Sequence, residues 1–136
     1  RALGALRRPA GAAPLQTALG DSEARVRESA LAALRKIEGF QNGSVAVPLL
    51  ADGNEGVRVQ AIFTIAELHT ISAAPALVQV LLHDASPSAR KRAAWALGRI
   101  HAPASVAGPA LSQAATSDPS PVVRSLASAA LAGLSR

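Results

Sequence analysis

The chain has 136 residues, a formal net charge of +5, and 49% hydrophobic residues of which Ala is a large part, while aromatics make up only 2%. That length suits one domain. The absence of Cys excludes a disulfide framework and a thiolate metal site. No apolar run approaches the roughly 18 residues a membrane span needs, and no signal peptide is visible, so the sequence predicts a cytoplasmic protein without membrane insertion.

Taken in chain order, the first residues read as the end of a helix. Ala2-Leu3-Gly4 matches Ala96-Leu97-Gly98 further on, which predicts a partial repeat over 1–8 and a fragment of a longer chain. A frame then recurs four times: an Asp followed six residues later by an Arg, at Asp21/Arg27, Asp52/Arg58, Asp84/Arg90 and Asp118/Arg124. Successive Arg positions lie 31, 32 and 34 residues apart. Three residues after each Arg stands Ala30, Ala61, Ala93 or Ala127, and seven after it Leu34, Ile65, Leu97 or Leu131. A period in this range predicts stacked helical hairpins, here over 13–38, 44–69, 74–101 and 107–135 in a single domain spanning 1–136.

Within each hairpin a first helix, A, ends in apolar pairs such as Leu49-Leu50 and Leu81-Leu82. The frame Asp opens a tight turn. Two residues on come Glu23, Asn54, Ser86 and Ser120, three of them good helix N-caps. Pro87 and Pro121 follow at a position where a helix tolerates proline. The second helix, B, then carries its apolar stripe at helical spacing. Gly39, Gly43, Pro103 and Gly108 are expected to mark links between repeats.

The frame, and the segment Arg92-Ala93-Ala94-Trp95-Ala96-Leu97-Gly98-Arg99-Ile100 in particular, resembles HEAT repeats of the short bacterial type found in phycobilisome-lyase-like proteins. The resemblance covers nearly the whole chain. It implies an all-α fold, a right-handed α-solenoid of stacked antiparallel helix pairs with about four repeats plus the partial N-terminal one. It also implies that helix B lines the concave side, and that Asp21, Arg27, Asp52, Arg58, Asp84, Arg90, Asp118 and Arg124 form a structural ladder between repeats. The chemistry agrees, because a turn carboxylate and an Arg in the next turn of helix can form charge-assisted bonds across neighbours.

Counting from each frame Arg, positions plus three, six, seven and ten of helix B are expected to be buried, and plus one, two, five, eight and nine open. The plus-five column reads Arg1, Ala32, Phe63, Trp95 and Ala129, so two of the chain's three aromatics become stacked neighbours about 10 Å apart. Arg35, Lys36, Lys91, Arg92 and Arg99 surround them, with Gln60 and Glu67 as polar neighbours. Aromatics rimmed by cations are typical of binding hot spots. Setting the four frame pairs aside leaves ten basic against five acidic residues, and this surplus is expected on the exposed surface.

No nucleophile elbow, phosphate loop or dinucleotide fingerprint is present, so no enzyme activity and no cofactor is expected. His69 and His101 both fall eleven residues after a frame Arg, one repeat apart, a spacing that does not gather ligands around one ion, and no metal site is expected. The leading reading is a non-catalytic protein-protein interaction scaffold. It would hold a partner segment or domain on the concave helix-B face, Phe63 and Trp95 anchoring apolar groups and the cations reading acidic ones. The alternative is nucleic-acid binding through a basic concave face. A further alternative, implied by the resemblance alone, is a lyase-like subunit of a bilin-attaching enzyme.

Overall fold

The computed structural model describes residues 12–134. Helix α1 spans Ala13–Ala18 and α2 Ala24–Leu34. A 3-10 helix covers Gly43–Ala51, followed by α3 at Glu55–Glu67. A short 3-10 turn at Ile71–Ala73 leads into α4, Ala74–His83, and α5, Pro87–Arg99. The last pair is α6, Ala104–Ser117, and α7, Pro121–Leu134. Each A element packs on its own B helix, B helices pack on successive B helices, and the second, third and fourth A elements pack on one another, giving an all-α solenoid. The partial repeat expected over 1–8, and Arg1 of the plus-five column, lie outside the described residues.

The A element of the second repeat holds a proline and two stiff valines. Pro48 sits inside it and would break an α-helical i to i−4 bond, and Val45 and Val47 are stiff at χ1. In the fourth repeat α6 starts at Ala104 and runs through Gly108 and Pro109, so Gly108 lies within a helix and not at a link.

The frame Asp builds the turn in all four copies. Its Oδ1 accepts the backbone N–H two residues on, Asp21 from Glu23 at 2.8 Å and Asp52, Asp84 and Asp118 from Asn54, Ser86 and Ser120 at 2.9 Å. Asn54, Ser86 and Ser120 then cap their helices by accepting from Val57, Ala89 and Val123. Glu23 makes no such side-chain bond.

Between hairpins the core is a small-residue column, Ala30, Ala61, Ala93 and Ala127, alongside Leu34, Ile65 and Leu97, all at 3% exposure or less. Alanine there lets helices A and B approach closely, and each buried Leu or Ile contributes roughly 1.5–3 kcal/mol. The plus-four residues Leu31, Ile62 and Ala94 are also fully buried, and so is Ala66 at plus eight, a position expected to be open. The reason is the stack: a B helix is covered by its own A helix and by the B helices on either side, so its closed arc is wider than one stripe.

Candidate interaction site on the B helices

Three links join the four repeats. Arg27 Nε and Nη2 donate to the two carboxylate oxygens of Asp52 at 2.8 and 3.0 Å, Arg58 to Asp84 at 2.8 and 3.1 Å, and Arg90 to Asp118 at 2.9 and 3.2 Å. In each case Nη1 also donates to the backbone carbonyl of the Asp in the same repeat, from Arg27 to Asp21, Arg58 to Asp52 and Arg90 to Asp84. Arg124 repeats this backbone bond to Asp118 at 2.7 Å and has no carboxylate partner among the described residues. Bonding to Arg27 holds the Asp52 carboxyl below its ordinary range, and the same bond raises Arg27. For Asp118 burial pushes upward, but the bonds from Arg90 and the Ser120 N–H prevail and the net direction is down.

The open face of the B helices is a stripe at helical spacing, Gln60, Phe63 and Glu67 on α3 beside Arg92, Trp95 and Arg99 on α5. Phe63 and Trp95 meet edge to face, with centroids 6.0 Å apart and planes at 73°. The guanidinium carbons of Arg35 and Arg92 stand 5.9 and 5.6 Å from the Phe63 centroid. Arg92 is steadied by donating to the Ser88 carbonyl and hydroxyl. Phe63 is half-buried, whereas Trp95 keeps 38% of its surface exposed.

Arg35 is drawn into the junction of the first two repeats rather than standing free on a rim. Its side chain is only 16% exposed, donates to the Gln60 carbonyl at 3.3 Å and the Thr64 hydroxyl at 3.1 Å, and lies 3.9 Å from Glu67. Burial lowers its pKa, partly offset by Glu67. Thr64 is fully buried and its hydroxyl donates in turn to the Gln60 carbonyl at 2.8 Å. The Gln60 Oε1 is enclosed without a hydrogen-bond partner among the described residues.

The structure therefore joins Arg35, Gln60, Phe63, Glu67, Arg92 and Trp95 into one cluster. No hydrogen bond, ion pair or ring contact ties Lys36, Lys91 or Arg99 to it among the described residues. Thr64 and Ser88, which hold the two guanidiniums, were not singled out in the sequence. Thr64 did leave a signal: it is the one hydroxyl in a column otherwise made of Ala33, Ala96 and Ala130.

Residues 12–134 contain ten basic and nine acidic side chains, so four of the five surplus charges belong to Arg1, Arg7, Arg8 and Arg136, outside the described residues. The described residues are close to neutral. His69 and His101 occupy left-handed backbone, φ 51° and 54°, one residue past the C-caps Leu68 and Ile100 of α3 and α5. Thr70 N–H bonds the Ile65 carbonyl and His69 N–H that of Ala66, with Ala102 to Leu97 and His101 to Gly98 as the counterparts. These are Schellman closures, which gives the two histidines a backbone role. No cluster of three or more metal-ligating side chains occurs among the described residues.

The family model for HEAT repeats matches residues 43–132. No curated protein matches the chain. Among solved structures, the crystal structure of an engineered protein from the Northeast Structural Genomics Consortium is similar at TM-score 0.71 and 22% identity, the alignment covering 92% of this chain and 62% of that one. At that identity the likeness is one of fold, and this chain spans less than two thirds of that structure's length. The family match takes in two complete ladder links, Arg58 to Asp84 and Arg90 to Asp118, together with Phe63 and Trp95, and it indicates no catalytic class. The repeated turn, the ladder and the family match over well more than half its length make the chain a member of the HEAT-repeat family.

Proposed function

We propose that the chain is a non-catalytic scaffold that binds a protein segment or domain on its helix-B face, the concave side in a HEAT-type stack. HEAT repeats are commonly protein-interaction scaffolds, and the observation that carries the reading here is Trp95, exposed yet held edge-on against Phe63. Arg35 and Arg92 fix the Phe63 ring from the neighbouring repeats, so little side-chain entropy is lost when a partner covers the pair. Arg92 has no carboxylate partner among the described residues and is available to an acidic group.

The near balance of charge across 12–134 does not favour nucleic acid, whose affinity comes largely from cations on phosphates. The narrower kinship with bacterial phycobilisome-lyase-type repeats rests on the segment 92–100 and belongs to this proposal, as does a cytoplasmic setting. No helix among the described residues is long and apolar enough to cross a membrane.

The test is a nuclease-treated pull-down from native lysate with wild type and Trp95→Ala, followed by affinity measurement with the purified capture. The expected result is a protein retained by wild type and weakened at least tenfold by the substitution, with unchanged helicity. Equal affinity of the two proteins, or loss of the capture on nuclease treatment alone, overturns the reading.

A further inference from the structure

The fourth repeat continues the open face in a different chemistry. The positions on α7 equivalent to Ser88, Arg92, Trp95 and Arg99 on α5 are Val122, Leu126, Ala129 and Gly133. This stripe carries no charge and no hydrogen-bonding side chain. Val122 is 51% exposed, Ala129 is exposed and Leu126 is partly so. Leu126 holds the place relative to Trp95 that Arg92 holds relative to Phe63. A further repeat would not cover the stripe: on α5, which has a repeat on either side, the equivalent Trp95 and Arg99 remain exposed, and the close approach to α7, Gly98 against Ala130, lies at plus eight and plus six. An apolar strip thus runs along α7, bordered on α5 by Trp95 between Arg92 and Arg99.

Neither Arg92 nor Arg99 has a carboxylate partner among the described residues. They lie seven residues apart on one helix face, roughly 10.5 Å. An acidic amphipathic helix presents the complementary pattern: an apolar stripe at i, i+4 and i+7, and two carboxylates seven residues apart beside it. Neighbouring helices pack 8–10 Å apart, so such a helix fits lengthwise between the ridges of α5 and α7. We propose that the groove between α5 and α7 is a docking site for an acidic amphipathic helix of a partner protein. Its apolar stripe lies on Val122, Leu126 and Ala129, Trp95 packs against its flank, and Arg92 and Arg99 bind its carboxylates. The inference rests on the reading of the helix-B face as a binding surface and names the partner's chemistry.

The chain's single Trp supplies the readout. The probe is a Trp-free helical peptide with a leucine stripe and two glutamates seven residues apart beside it; the control peptide has lysines in place of the glutamates. The expected result is a saturable blue shift of Trp95 emission with the glutamate peptide. Binding should weaken about tenfold or more with the lysine peptide, with Arg92→Ala/Arg99→Ala, and with either Val122→Asp or Ala129→Glu. Both α7 positions are exposed, so the folded state survives their substitution. No saturable shift, equal affinity for the lysine peptide, or binding untouched by both α7 variants overturns the proposal. A captured protein lost with Trp95→Ala but retained by both α7 variants leaves the binding face standing and removes only this groove.

Discussion

Arg58 grips Asp84 of the next repeat through two parallel bonds, at 2.8 and 3.1 Å, while its third nitrogen holds the Asp52 carbonyl of its own turn at 2.9 Å. One guanidinium thereby fixes both a turn and the register between neighbours. Since repeats in a solenoid touch only those beside them, each link governs one junction.

Asp84→Ala removes both carboxylate bonds and the turn bond to the Ser86 N–H, leaving Arg58, its side chain 15% exposed, with one of its three hydrogen bonds. The expected loss is about 2 kcal/mol, below the roughly 3–5 kcal/mol of a fully buried pair because water reaches the site. Urea unfolding followed by circular dichroism measures it, and a broadened transition is expected as the second and third repeats uncouple. An unchanged midpoint would sink the claim that the link stabilises the junction.

The carboxyls of Asp52 and Asp118 are held below the ordinary range of about 3.9. A depressed folded-state pKa contributes stability that is present above the unfolded value and lost as pH falls through the folded one. Thermal midpoints should therefore stay level between about pH 5 and 8 and fall steadily below about pH 4. In Asp52→Asn/Asp118→Asn the acid slope should flatten, and an identical slope would show that other groups set the acid limit.

His101→Gly should stabilise the chain by about 0.5–1 kcal/mol, because the left-handed backbone at φ 54° strains any residue with a Cβ. The gain is less than the whole strain because glycine gives the unfolded chain more freedom. His69→Gly, at φ 51°, should behave alike. A rise in the urea midpoint of each variant is the check; a fall would mean that the imidazole does more than close the helix.

Gly98 faces Ala130 so closely that an added Cβ would stand 3.3 Å from the Ala130 Cβ and 3.5 Å from its Cα. Gly98→Val forces the third and fourth repeats apart and should cost about 1–3 kcal/mol. The same variant also shifts α7 against Trp95, so a change in Trp95 emission should accompany the loss of stability. If stability is unaffected, the two helices are less tightly apposed than this distance states.

The stack itself was legible in the chain. Four Asp-x5-Arg copies, the alanine column at plus three and the caps at Asn54, Ser86 and Ser120 are local patterns, and local patterns fix where each helix begins and which residues face inward. What the sequence could not supply was the partner of each side chain. It placed Arg35 among open cations, whereas the stack turns it onto Thr64 and the Gln60 carbonyl of the next repeat. It left plus four unassigned and plus eight open, whereas packing between B helices buries Leu31, Ile62 and Ala66 completely. Spacing along a helix records only the angle at which a residue leaves its own axis. Whether that direction ends in solvent, in a neighbouring helix or against another charge depends on how the hairpins stack, and only the tertiary structure decided that.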